Sequence, residues 1–270
     1  MLFLLFGTPL IMAKTSVTLM PYGSYIKYSG SSKKRAYVVG LYSSLYHSSN
    51  KFELGLENTT IMYNSGWKDY DQRDVTAIYT HYFGKHFLAK AGVHYIDTDK
   101  SSSKHFTAGV NYYKMRYNVG LDSYYSNYKS LLAKPLKILQ FKPYIGLNFP
   151  KSRWGSFYIE ADYNYIKPLH AQKMALKKSY RSVGVKLSHK KGKLTTSVGG
   201  WIGKRAFSVE DGGFTVYNSS TLYTKGFYVS ADYAVKPKTH IKLKDSYVQF
   251  KENGKKGHSN TVTTSLLHSW

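Results

Sequence analysis

From Thr15 to Trp270, apolar side chains recur at every second position in run after run. That is the period of a strand whose two faces meet different surroundings. In Phe87–Thr98, Phe87, Ala89, Ala91, Val93 and Tyr95 share one side, and Lys90, Gly92 and His94 the other. Arg116–Tyr128 sets Tyr117, Val119, Leu121 and Tyr125 against Arg116, Asn118, Asp122 and Tyr124. Trp154–Ile166 sets Phe157, Ile159, Ala161, Tyr163 and Tyr165 against Tyr158, Glu160, Asp162 and Asn164. In Leu222–Val235, Phe227, Val229, Ala231 and Tyr233 oppose Ser230 and Asp232. A helical reading fails, because apolar residues return at i+2 and not at i+3 and i+4.

Fourteen runs follow this grammar. Seven of them are Ser16–Ser29, Arg35–His47, Lys51–Tyr63, Arg73–Phe83, Phe87–Thr98, His105–Lys114 and Arg116–Tyr128. The other seven are Leu136–Phe149, Trp154–Ile166, Lys177–Ser188, Lys193–Lys204, Leu222–Val235, Thr239–Lys251 and His258–Trp270. Each is about as long as a tilted strand needs to cross a bilayer. The junctions alternate in length. One set (Ser48–Asn50, Gly84–His86, Met115, Pro150–Arg153, His189–Gly192, Lys236–Lys238) never exceeds four residues. The other set (Gly30–Lys34, Asn64–Gln72, Asp99–Lys104, Lys129–Pro135, Lys167–Leu176, Arg205–Thr221, Glu252–Gly257) reaches seventeen. A soluble β-sandwich has no reason to keep this asymmetry, whereas a membrane barrel has short turns at one end and longer loops at the other. The longest junction, Arg205–Thr221, carries Gly212 and Gly213 and is expected to be mobile and outside. Pro21 and Pro143 each remove a ladder N–H. Asp245 interrupts the apolar face of its run, which suggests a bulge. Arg181 shares a face with Val183, Val185 and Leu187, from which it can snorkel to head groups near a rim.

The last run, HSNTVTTSLLHSW, alternates down to an aromatic residue at Trp270. A strand at the end of the chain needs a partner for its free edge, and in a closed barrel that partner is the first strand. This stretch resembles the closing strand of bacterial outer-membrane β-barrel proteins, which ends on Phe or Trp after alternating apolar residues. It departs from that pattern at His268, where an aromatic or aliphatic residue is usual, and at Ser265, where Gly is usual. The resemblance implies a closed antiparallel transmembrane barrel in the bacterial outer membrane, of the small monomeric porin-like type. It also implies short periplasmic turns, longer outer loops, and outer-membrane lipids including lipopolysaccharide as surroundings.

Composition sharpens the picture. Aromatic residues make up 16% of the chain, 27 of them Tyr, a residue suited to membrane–water interfaces. No cysteine is present, which excludes a disulfide framework, a thiolate zinc site and a lipoprotein anchor. Residues 1–13, MLFLLFGTPLIMA, read as a signal peptide lacking its positive start, leaving 14–270 as the barrel. A net charge of +24 is spread over nearly every connection. That dispersion argues against a nucleic-acid groove and fits solvated rims that attract anions.

No phosphate-binding glycine loop, HExxH or GxSxG is present, and the histidines lack metal-ligand spacing on one strand face, so they are expected at rims or loops. No cofactor is called for. The informative charges are inward ones: Asp122, Lys142, Glu160 and Asp162 on three consecutive runs, with Lys90, Arg116, Lys186, Asp232, Lys242, Glu53 and Glu57 elsewhere. They can neutralise one another to hold the wall, or set a transverse field that selects solutes at a constriction. The expected function is passive diffusion of small solutes with weak anion preference. The alternatives are a rim hydrolase, using Asp97, Asp99 and His105 or Asp69 and Asp71, and a structural or adhesive barrel.

Overall fold

The computed structural model describes residues 15–64, 68–99, 101–129, 135–169, 177–252 and 254–270. The expected signal segment 1–13 and most of the Lys167–Leu176 junction lie outside them. The chain forms β1 (Ser16–Ser29), β2 (Lys33–His47), β3 (Asn50–Tyr63), β4 (Tyr70–Phe83), β5 (Phe87–Thr98), β6 (Ser102–Tyr113) and β7 (Tyr117–Lys129). It continues through β8 (Leu136–Ser152), β9 (Gly155–Pro168), β10 (Tyr180–Lys191) and β11 (Leu194–Arg205). Two short strands follow, β12 (Val209–Glu210) and β13 (Thr215–Val216), joined by a 3-10 turn at Asp211–Gly213. Then come β14 (Leu222–Lys236), β15 (Thr239–Glu252) and β16 (Lys255–Ser269).

Fourteen of these strands make one closed antiparallel barrel; β12 and β13 pair only with each other. Each barrel strand pairs with the next, β11 reaches across to β14, and β16 closes on β1. Closure is tight at the chain end: Ser24 faces Thr263, and the Trp270 N–H donates to the Val17 carbonyl at 2.9 Å. The fourteen expected runs correspond to these strands, with shifted ends. β8 extends through Pro150 and Lys151, and β16 starts at Lys255, so two expected junctions shrink.

Alternation decides which side chains face out. In β6, Ser103, His105, Thr107 and Asn111 are buried, while Phe106 and Val110 stand outside. Val39 and Ile202 are 69% and 64% exposed, whereas His105 and Asn164 are 0% exposed. A soluble fold has the reverse arrangement; apolar outside and polar inside is the membrane-barrel arrangement. The strands are tilted, as closure requires. Stepping across the ladders from Tyr22 gives Gly40, Glu57, Asp74, Ile96, Ser103 and Tyr128, from mid-strand in β1 to the long-loop end of β7.

The prolines and Asp245 resolve individually. Pro143 has no N–H, and the β8–β9 ladder skips Lys142 and Pro143, resuming at Tyr144 in the same register. Asp245 does not sit in a bulge. It pairs with Val229 and Val262 in unbroken ladders, and the irregularities of β14 lie at Tyr223/Lys225 and Ala234/Lys236. Its carboxylate therefore stands on the outer face at mid-strand, with no side-chain hydrogen bond or ion pair among the described residues. A charged group on a lipid face is destabilising, most so near the midplane. Asp245→Val should therefore stabilise the barrel by on the order of 1–2 kcal/mol in reversible denaturant unfolding from phospholipid vesicles. A loss of stability would mean that Asp245 has a partner outside this chain.

Candidate functional site

The longest connection does not lie outside. Residues 206–221 fold back into the barrel: Ala206, Ser208 and Val209 are fully buried. The physical reason lies in what the wall offers. Above the charged mid-section, β7, β8, β9 and β10 turn Tyr128, Ile138, Ile166 and Tyr180 inward, and Phe207 packs among them. Tyr128 meets the Phe207 ring edge-on at 5.2 Å between centroids. One step inward, Gln140 acts as a strand would. Its Nε2 donates to the Val209 carbonyl at 2.7 Å, and the Val209 N–H donates back to its Oε1 at 2.8 Å. The loop thus finds wall partners for backbone groups that it removes from water.

Glu210 is the centre of the attachment. Its carboxylate accepts from Arg205 at 3.0 Å, Asn164 at 3.0 Å and Lys142 at 3.1 Å, and from the Ser208 hydroxyl. Arg205, at the end of β11, also donates to Ser182 and lies 4.1 Å over the Trp201 ring. Burial alone would raise the Glu210 pKa, but the Arg205 and Lys142 charges outweigh it and hold the group below its ordinary value. The far end of the loop reaches the opposite wall. His94 Nδ1–H donates to the Gly213 carbonyl at 3.0 Å, and that partner fixes the tautomer. Phe214 packs edge-on against Tyr42 and covers Gly55, where an added Cβ would come within 3.0 Å of the ring. Gly212, at φ 71°, makes the turn between these contacts.

The expected lumen residues fall into three groups. Asp122 and Lys142 are registered neighbours, yet they do not pair with each other. Asp122 reaches over Gly109 to Lys90 at 2.8 Å, and Lys142 turns to Glu210, with Asp162 at 3.7 Å. A Cβ at position 109 would collide with both Asp122 and Lys90, so the glycine makes room for that ion pair. Glu160 accepts from the Tyr158 hydroxyl, and Lys186 lies 5.6 Å over the Tyr158 ring. Asp232 pairs with Lys242 at 3.0 Å and His240 at 2.7 Å, towards the short-turn end and away from the loop. Arg116 is exposed in the turn before β7 rather than on the wall, because the strand begins one residue later than the alternation suggested.

Two further expectations are corrected. His94 and His105 are not rim residues; both are buried in the lumen, with His105 held between Ser103 and Ser126 at 2.8 Å each. Asp97 points outward from β5 while His105 points inward from β6, so they cannot act together on one substrate. Asp99 instead pairs with exposed Lys68, and Asp71 accepts from Thr60. Sequence reasoning missed Glu210, Arg205, Gln140 and Asn164. The signal available was that Gln140 and Asn164 sit two residues outward of Lys142 and Asp162 on the same inward faces. Beside the loop remains a cavity of about 950 Å³, lined by β1–β4 and β14–β16 as well as by the charged wall.

No protein-family model matches the sequence, and no curated protein does. Solved structures do match in fold. One is a bacterial polysaccharide outer-membrane secretin, with TM-score 0.60 and 8% identity over 94% of this chain and 98% of that one. Another is the toluene transporter TbuX of Ralstonia pickettii, with TM-score 0.60 and 9% identity over 96% and 90%. A third is the NanC porin, with TM-score 0.51 and 12% identity over 92% and 98%. The fold is that of bacterial outer-membrane β-barrel channels. At these identities the likeness carries the fold alone.

The Glu210 contacts predict how the barrel holds its loop. Removing one partner from a buried ionic cluster costs about 3–5 kcal/mol, because the others stay buried and uncompensated. Glu210→Ala in proteoliposomes should expose the 206–221 segment to added protease, while wild type stays uncut there. A depressed folded-state pKa stabilises above the ordinary carboxylate value and is lost as pH falls through the depressed one. The wild-type loop should therefore stay protected at neutral and mildly acid pH and become cleavable by an acid protease only below the ordinary carboxylate range.

Proposed function

We propose that this protein is an outer-membrane channel for passive diffusion of small solutes, its aperture set by the infolded loop. The observation that carries the reading is the cavity of about 950 Å³ beside that loop, lined in part by charged side chains, inside a barrel whose apolar side faces out. Eight-stranded barrels are filled by side chains, and sixteen-stranded ones hold an aqueous channel. Fourteen strands leave room that the loop only partly takes. A loop fixed on both walls narrows the passage without sealing it.

The charges at the narrowing are close to balanced: Lys90, Lys142 and Arg205 face Asp122, Asp162 and Glu210. The net charge of +24 raises local anion concentration at the mouths, more so at low salt, where screening is weak. The combination supports a weak anion preference. Basic residues at the outer strand ends, among them Arg181 over the Tyr165 ring, suit the phosphates of outer-membrane lipids including lipopolysaccharide around a monomer.

Planar-bilayer recording tests this reading. Wild type should conduct in small steps, with a reversal potential slightly towards anions in a salt gradient. Lys142→Glu should move that potential towards cations and also enlarge the steps, because the new carboxylate repels Glu210 and loosens the loop. Absence of conductance from well-folded wild type would overturn the channel reading; an unchanged potential in a conducting Lys142→Glu barrel would remove Lys142 from the constriction.

A further inference from the structure

At the long-loop end of the outer face, several cations meet a neutral or opposite neighbour across the ladder. Arg73 faces Asp97, Lys104 faces Tyr95 and Asn127, and Lys225 faces Gln249. Lys27 of β1 and Arg35 of β2 differ. They are registered partners on antiparallel strands and both lie on the outer face, so two positive charges stand side by side. Like charges directly opposite one another destabilise a sheet. Neither cation has an ion-pair partner among the described residues; the Arg35 Nε donates only to the Met62 sulfur, at 3.1 Å. Outward acids at this end are engaged elsewhere, Asp71 with Thr60 on β3 and Asp97 opposite Arg73. On the other side of Lys27, across the closing seam, its registered partner is exposed Asn260 of β16. The Asn260 amide adds two N–H donors. Arg35, Lys27 and Asn260 thus form a row of donors over three adjacent strands.

The surface below the row is graded. One outward position further in, Tyr25 and Tyr37 are registered partners with ring centroids 5.5 Å apart, and the Arg35 guanidinium lies 5.7 Å over the Tyr37 ring. Exposed tyrosines mark the level where a bilayer turns from apolar to polar. From Tyr25 to Val17 the strand runs about 27 Å at about 3.4 Å per residue, or about 20 Å in height when tilted, near that of a membrane barrel's apolar band. The cations therefore stand at head-group level. The next outward pair is Gly23 and Val39. With no side chain at position 23, Val39 is left 69% exposed, and a Cβ placed there would meet only the Val38 carbonyl, at 3.8 Å. A shallow apolar trough thus opens directly beneath the two tyrosines.

Cations, then tyrosines, then an apolar trough is the order of an anionic amphiphile with its head towards the long-loop end. The charge of the row selects among head groups. A phosphodiester brings a single negative charge, and an ethanolamine head adds an ammonium that Lys27 and Arg35 repel. A phosphomonoester brings a charge of about −1.5 to −2 and three acceptor oxygens, enough to neutralise both cations and accept from Asn260 as well. We infer that the β16–β1–β2 face binds the phosphomonoester of an outer-leaflet glycolipid of the lipid A type, with Arg35 and Lys27 as its counter-charges and an acyl chain lying over Gly23. The bound phosphate bridges the strands at which the barrel closes and removes the repulsion that the bare wall carries. The inference rests on the lipid reading given above, which it narrows to one site, and is independent of conduction.

Native mass spectrometry of the full chain in detergent tests the site, with lipid A, dephosphorylated lipid A and phosphatidylglycerol as separate probes. Wild type should hold one lipid A saturably and bind the other two at least tenfold more weakly. Lys27→Gln combined with Arg35→Gln should weaken lipid A binding at least tenfold, and Lys104→Gln should leave it unchanged. Circular dichroism establishes that each variant retains its strands. Urea unfolding supplies a readout that a merely structural role would not move. Without lipid A the double variant should unfold at higher urea than wild type, because the repulsion is gone; with lipid A it should unfold at lower urea. Equal lipid A binding by wild type and double variant would remove the site and leave the general lipid reading. Absence of a lipid A adduct on folded wild type would remove both. Equal affinity for phosphatidylglycerol would overturn the phosphomonoester assignment, and displacement of lipid A by millimolar inorganic phosphate would make the ligand a free anion and overturn the glycolipid.

Discussion

Backbone closure is the constraint on which the rest depends. At membrane depth no water is available for an unpaired N–H or C=O, so a strand-built wall must have no free edge. The β1–β16 pairing satisfies that demand, and it also fixes the faces. Once the sheet is closed, alternation leaves each side chain only lipid or lumen. That is why Val39 and Ile202 stand exposed while Asn164 and His105 are wholly enclosed. Asp245 departs from this at mid-strand, a carboxylate turned outward by an unbroken register, whereas outward Asp97 lies near a strand end.

A closed wall with a polar interior creates a second problem, which the infolded loop answers. Inward polar groups in a wide barrel are either hydrated or paired with one another. Here Gln140, Asn164 and Arg205 are taken up by the loop. Glu210 has the most partners because three strands converge on it: Lys142 from β8, Asn164 from β9 and Arg205 from β11. Buried ionic clusters of this kind are a weak source of net stability and a strong source of positional definition, since breaking one member strands the others. The same carboxylate that anchors the loop in the lumen is therefore what the wall's cations require.

Much of the wall was legible in the sequence, because alternation and junction length are local signals. The strands, their faces and the long-loop end follow from period two and from the contrast between Met115 or Ser48–Asn50 and Arg205–Thr221. The loop's direction was not legible. Gly212 and Gly213 read equally well as a solvent-exposed tip or as a tight turn inside a lumen; what decides is Phe207 and Phe214 finding apolar or glycine surfaces on distant strands, and the Val209 backbone finding Gln140. Ion-pair partners were hidden for a similar reason. Asp122 and Lys142 are adjacent in register, but the empty space over Gly109 and the arrival of Glu210 from the loop redirect both. Arg116 was misplaced by a single residue at a strand start, which in a period-two structure is enough to lose a face.

The central claim is that 206–221 occupies the lumen and sets the aperture. The Phe207 N–H donates to the Ser219 carbonyl at 3.3 Å, so the segment between them can be excised and the ends rejoined through a short Gly linker. Single-channel conductance of a barrel lacking 208–218, recorded beside wild type in the same bilayer, is the most direct measurement. The account predicts conductance several-fold above wild type with loss of the selectivity set by Lys142. Equal conductance in the two barrels would contradict it.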